Sequence, residues 1–137
     1  MPARPRSLFV VAGLCAIHIG FCSAFAQEQT LQGELVDPAL YLKEGRHGPA
    51  VEEETYEAVD GGQTLCLLEE GTELLYLLLA GEPGEDPNEL AYDSVGKKVK
   101  ITGTLYERGG LHGLVATSVE PLEPSGLQAP ASSDTPP

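Results

Sequence analysis

The chain has 137 residues, with 21 acidic side chains against 8 basic ones and a formal charge of −13. That charge excludes nucleic acid and anionic lipid as generic partners, because phosphate binding rests on lysine and arginine releasing counterions. The length allows one small core, and three cysteines, two of them within the first 22 residues, provide no disulfide framework.

The first residues, MPARPRSLFVVAGLCAIHIGFCSAFA, place Arg4 and Arg6 ahead of an apolar run that ends in Ala24-Phe25-Ala26. A positive start, a short apolar stretch and small residues at the end are the marks of a secretory signal peptide, residues 1–26, cut after Ala26. The alternative is a retained membrane anchor, which Gly13, His18, Gly20 and Ser23 weaken by diluting the run. Cleavage would remove two arginines, leaving 6 basic and 21 acidic residues and a formal charge of −15. Only Cys66, His47 and His112 would remain of their kinds, in a periplasmic or secreted protein with no stable membrane insertion.

Residues 27–30 read as a flexible N-terminus and residues 31–122 as the folding unit. From Glu123 onward, EPSGLQAPASSDTPP lacks the apolar surface to repay ordering and reads as a disordered tail, so the domain ends near residue 122. LQGELV, Leu31 to Val36, alternates as a half-buried strand does, and Asp37-Pro38 breaks it. YLKEGRHGPA reads as a loop. VEEETYEAV suits two helical turns with Val51, Thr55 and Val59 on one side.

In TLCLLEEGTELLYLLLA two apolar runs flank Glu69-Glu70-Gly71-Thr72, which predicts a hairpin. The second run, Leu74 to Leu79, is apolar on both faces, which fits a strand covered on two sides, a strand whose outer face meets something else, or a buried helix; Tyr76 and the tight glycine turn favour strand. GEPGEDPNELAYDSVG reads as a loop with at most one helical turn around Asn88 to Tyr92. From Lys97 to Glu107, period two sorts Val99, Ile101 and Leu105 to one face and Lys98, Lys100 and Thr102 to the other. Arg108-Gly109-Gly110 supplies a turn, and the returning strand places Val115, Thr117 and Val119 on one face and Leu114, Ala116 and Ser118 on the other. The lysines then guard a strand edge; as a nucleic-acid groove they would need interleaved exposed aromatics, and only Tyr106 is near.

Strand, hairpin, connection with a helix or loop, hairpin is the order of a mainly β, five-stranded OB-like barrel with one or two short helices. The stretches GELVDPALYLKEGRHG, LYLLL and VGKKVKITGTLYERGGL resemble a group of small secreted bacterial OB-fold-like domains without a settled activity. The resemblance implies a cysteine before the tyrosine of the first motif and a cysteine pair in the following helix. Here Leu40 precedes Tyr41 and EEETYEAV holds no cysteine, so a thiol or soft-metal role does not carry over.

No Ser-His-Asp or glycine-rich phosphate motif stands in the sequence. Cys66 within an apolar run behaves as a small hydrophobe, and the carboxylate pairs read as solvated faces. The expectation is a non-catalytic binding module without a cofactor, using Asp37, Tyr41, His47, Tyr76 and Arg108 on the barrel face and its bordering loops. Its partner would be a peptide, glycan or envelope protein. The alternative is a metal-binding envelope protein using His47, His112 and carboxylates.

Overall fold

The computed structural model describes residues 26–123; the expected signal peptide, residues 1–26, lies outside the described residues except for Ala26, and the expected tail, residues 123–137, except for Glu123. Five strands, β1 (Gln27–Val36), β2 (Cys66–Glu69), β3 (Leu75–Leu78), β4 (Lys98–Arg108) and β5 (Leu111–Pro121), form a closed barrel in the order β1-β2-β3-β5-β4. The seam between β3 and β5 is parallel, and all other neighbours are antiparallel. The fold is the small OB-like barrel expected.

Strand β1, Gln27–Val36, turns Leu31, Gly33 and Leu35 inward and serves two neighbours. Residues 27–34 pair with β4 (Lys98–Arg108), and residues 33–36 pair with β2 (Cys66–Glu69). At Gly33 both ladders meet, and a Cβ there would run into the Leu68 carbonyl oxygen. The four residues expected to be flexible, Gln27 to Thr30, belong to this strand, opposite Leu105 to Thr102. QEQT has no apolar alternation to announce it; the main-chain ladder holds it because β4 extends that far.

Asp37-Pro38 ends the strand by starting a helix. Asp37 Oδ1 accepts the Ala39 N–H at 2.8 Å, and Pro38 occupies the first helical turn of α1, Pro38–Glu44. Gly45 closes it in the left-handed region, φ 69°, donating its N–H to the Tyr41 carbonyl. The expected loop thus holds one short helix. A 3-10 turn, Pro49–Val51, leads into α2, Glu52–Asp60, where three glutamates complement the helix N-terminus. Val51, Thr55 and Val59 are buried together as their spacing predicts.

The apolar runs form the expected hairpin of β2 and β3, Leu75–Leu78. Leu67, Tyr76 and Leu78 are buried, whereas Leu77 is 40% exposed. Between β3 and β4 the chain is pinned by Asn88, and a 3-10 turn at Tyr92–Ser94 delivers Ala91 and Val95 to the core. Strands β4 and β5 (Leu111–Pro121) form the long hairpin, turning through Gly109 and Gly110 at φ 60° and 81°, which glycine adopts without strain.

Strand β5 departs from simple alternation. Thr102 lies opposite Ser118 and Gly103 opposite Ala116, so Thr117 is an extra residue whose hydroxyl donates to the Thr102 carbonyl. This bulge switches the inward face, so Leu114, Ala116 and Val119 all pack on the core although Ala116 and Val119 were expected on opposite faces. Nor is β4 an edge: β1 and β5 flank it on both sides. Lys98 and Lys100 sit on its outer face, where they meet Glu70 and Glu120 at 2.8 Å each.

Candidate functional site

The five expected binding residues fall in three places. Asp37 is only 5% exposed and serves as the cap of α1, a structural task. Tyr41 and His47 meet edge to face, with ring centroids 5.6 Å apart. His47 Nδ1 lies 3.1 Å from Glu34 Oε1, and these groups line a cavity of ≈ 170 Å³ with Lys98 and Glu70. The hydrogen bond to Glu70 raises the Lys98 pKa, and Lys100 meets Glu120, so the two outward lysines of β4 are each paired with a carboxylate of the same chain.

Tyr76 and Arg108 belong to a different cleft, ≈ 640 Å³, at the end of the barrel where β1 begins and β4 turns into β5. His112 joins them, its ring 5.4 Å from that of Tyr76. Tyr76, expected on the barrel's binding face, is mostly buried in the wall of this cleft, and period two puts Leu75 and Leu77 on the other side of the strand. Its hydroxyl donates to Glu69 Oε2 at 3.3 Å, and burial, followed by Glu69, pushes the phenol pKa up. It therefore stays protonated as a donor.

His47 and His112 line separate cavities, each beside one glutamate: Glu34 at 3.1 Å and Glu107 at 3.9 Å. Among the described residues no group of three or more His, Cys, Asp or Glu side chains is placed to hold a metal ion. Burial, then Asp37, pushes the Cys66 thiol up to about 12, far from a reactive thiolate.

A third surface is apolar and exposed, and the sequence pattern announces it only in part. Helix α1 covers part of the outer face of the β2–β3 hairpin, where Tyr41 and Leu75 pack over Val36, Cys66 and Leu68. Beside that small second core runs a groove of ≈ 470 Å³ lined by Tyr41, Leu42, Leu74, Leu77 and Leu111, with Glu73 on its rim. Leu42 is 72% and Leu111 78% exposed. The two-sided apolar run from Leu74 to Leu79 was the signal for half of this surface. Leu42 and Leu111 lay hidden because a helix in an expected loop and the first residue after a turn bring them there.

Among the described residues no helix is long and apolar enough to cross a membrane. Comparison of the chain with protein-family models, curated proteins and solved structures finds no match.

Proposed function

We propose that the protein is a non-catalytic binding module of the cell envelope, periplasmic or secreted, which docks a polypeptide partner in the groove between α1 and the outer face of β2–β3. One observation carries this reading: four leucines, Leu42, Leu74, Leu77 and Leu111, lie 40–78% exposed around one groove of a strongly acidic protein. Clustered exposed apolar side chains mark interaction surfaces. Leucine offers no donor or acceptor to a sugar hydroxyl, so an apolar polypeptide segment suits the groove better than a glycan does. Glu73 in the groove lining and the net charge of −13 favour a segment flanked by lysine or arginine. A raised thiol pKa and histidines that each face a single glutamate support binding rather than catalysis. The leader reading supplies the address, and a cut after Ala26 would leave β1 whole.

The test uses synthetic peptides with a leucine-rich centre and either lysine or glutamate flanks, titrated against the protein by fluorescence anisotropy. The lysine-flanked peptide binds, and Leu77→Glu weakens it at least about tenfold, the equivalent of losing one leucine's burial. Equal binding of the glutamate-flanked peptide, or undiminished binding by a folded Leu77→Glu variant, rejects this surface.

A further inference from the structure

The leader motif and the start of the first strand meet at one residue. Cleavage after Ala26 makes Gln27 the first residue of the mature chain, and Gln27 is also where β1 begins. It is exposed, stands opposite Leu105, and lines the mouth cleft with Tyr106, Glu107 and Arg108. We propose that Gln27 of the mature protein is a modification site that closes to pyroglutamate. The inference rests on the leader reading above.

The reaction needs nothing but the residue itself. The lone pair of the freed α-amine attacks Cδ of its own carboxamide, a new N–Cδ bond closes a five-membered lactam, and the Cδ–NH₂ bond breaks. The side-chain nitrogen leaves as ammonia, taking up the proton that the α-nitrogen gives up. No oxidant, reductant or second substrate enters. Glutamine at any other position cannot do this, because its α-nitrogen is already an amide. At Gln27 the side chain is free to fold back: among the described residues no hydrogen bond holds its carboxamide.

The strand accommodates the product. Leu35 donates its N–H to the Lys97 carbonyl, and in an antiparallel ladder alternate residues turn their main-chain groups the same way. Counting back by twos through Leu31 and Gln29, Gln27 directs its nitrogen toward Leu105. Ring closure puts Cδ where the amide hydrogen would lie, as a proline ring does, so the product gives up only this last, exposed donor of the ladder while Gln29 and Leu31 keep theirs. It also removes an ammonium from a cleft that already contains Arg108, leaving a neutral, aminopeptidase-resistant end beside Tyr106.

The full chain with its own leader, secreted from a bacterial host without an N-terminal tag, is measured by intact mass before any digestion. The peptide Gln27–Lys43 is then fragmented. The expected chain starts at Gln27 and is lighter by one ammonia, with the loss on residue 27. It resists sequential N-terminal degradation until pyroglutamyl peptidase is added, and Gln27→Ser restores a free amine. A chain that starts at Gln27 and keeps its full mass after prolonged incubation overturns the lactam while leaving the leader reading intact. A chain starting at any other residue overturns both.

Discussion

Asn88 ties together two parts of the chain that no local pattern connects, and Asn88→Ala tests that tie. Its Oδ1 accepts the Leu65 N–H at 2.9 Å, and its Nδ2 donates to the Gln63 carbonyl at 3.0 Å. Its own N–H is held by Asp86 Oδ1 at 2.9 Å, and its carbonyl accepts from Ala91 and Tyr92. The residue is 6% exposed and Leu65 is fully buried. Truncation leaves the Leu65 N–H without a partner where water cannot reach, which costs about 1–3 kcal/mol. The Gln63 carbonyl, only half-buried, finds water and adds roughly 0.5–1 kcal/mol.

The sum, about 1.5–4 kcal/mol, lowers the melting temperature by roughly 6–32 °C for a domain of this size. Urea unfolding and the exchange rate of the Leu65 amide measure it, and Gln63→Ala serves as control. The acceptor at Gln63 is main chain, so that variant stays within about 0.5 kcal/mol of the parent. If Asn88→Ala also stays within about 0.5 kcal/mol, with the Leu65 amide as protected as before, the argument from buried unsatisfied groups is wrong for this site.

Gly33→Ala drives a methyl group against the Leu68 carbonyl where β1 is paired on both sides, so circular dichroism and urea titration will find it unfolded or destabilised by more than about 3 kcal/mol. Asp37→Ala removes the cap of α1 and costs about 1 kcal/mol in urea. It also loosens the helix that carries Leu42, so the lysine-flanked peptide binds more weakly. The Cys66 thiol, with an ordinary value of 9.0 raised to about 12 in the fold, stays unlabelled by a disulfide reagent until urea unfolds the chain. The same shift fixes a sign: an unfolded thiol ionises first, so the thiol's contribution to stability is complete below pH 9.0 and is lost progressively toward about 12. Replacing Cys66 by alanine makes the stability profile flatter in that interval.

Local periodicity carried what local forces decide. Val51, Thr55 and Val59 are buried at helical spacing, and Val99 and Ile101 are buried while Lys98 and Lys100 face outward. The barrel order followed from the sequence of strands and turns. What stayed hidden depended on partners distant in sequence. Gln27 to Thr30 are a strand only because β4 reaches them, and Thr117 reverses a face only because of the register opposite Thr102. Asp37-Pro38 reads equally well as a strand breaker and as a helix start. Tyr76 and His112 came together through the parallel seam between β3 and β5, which no spacing announces, and Glu69 joined them only because the hairpin turn folds it back onto the phenol.

Closure of the barrel also decides how a partner can be held. In an open sheet, a long strand such as β4 could accept a partner's strand along its edge, with main-chain hydrogen bonds supplying affinity. Here β4 is paired on both sides, and its lysines answer Glu70 and Glu120 rather than guard an edge. If the protein is the binding module proposed above, recognition would rest on side chains, and the exposed leucines are then a stronger signal than Lys98 and Lys100, which meet carboxylates of the same chain. The groove lies beside the shortest junctions of the barrel: β3 is held to β2 and to β5 by three register pairs each, while β4 and β5 share ten. Few pairs mean the lowest cost of local opening. A segment seated against Leu74, Leu77 and Leu111 bridges β3 and β5 from outside and closes that opening, so occupancy of the groove and protection of the β3 amides from exchange rise together.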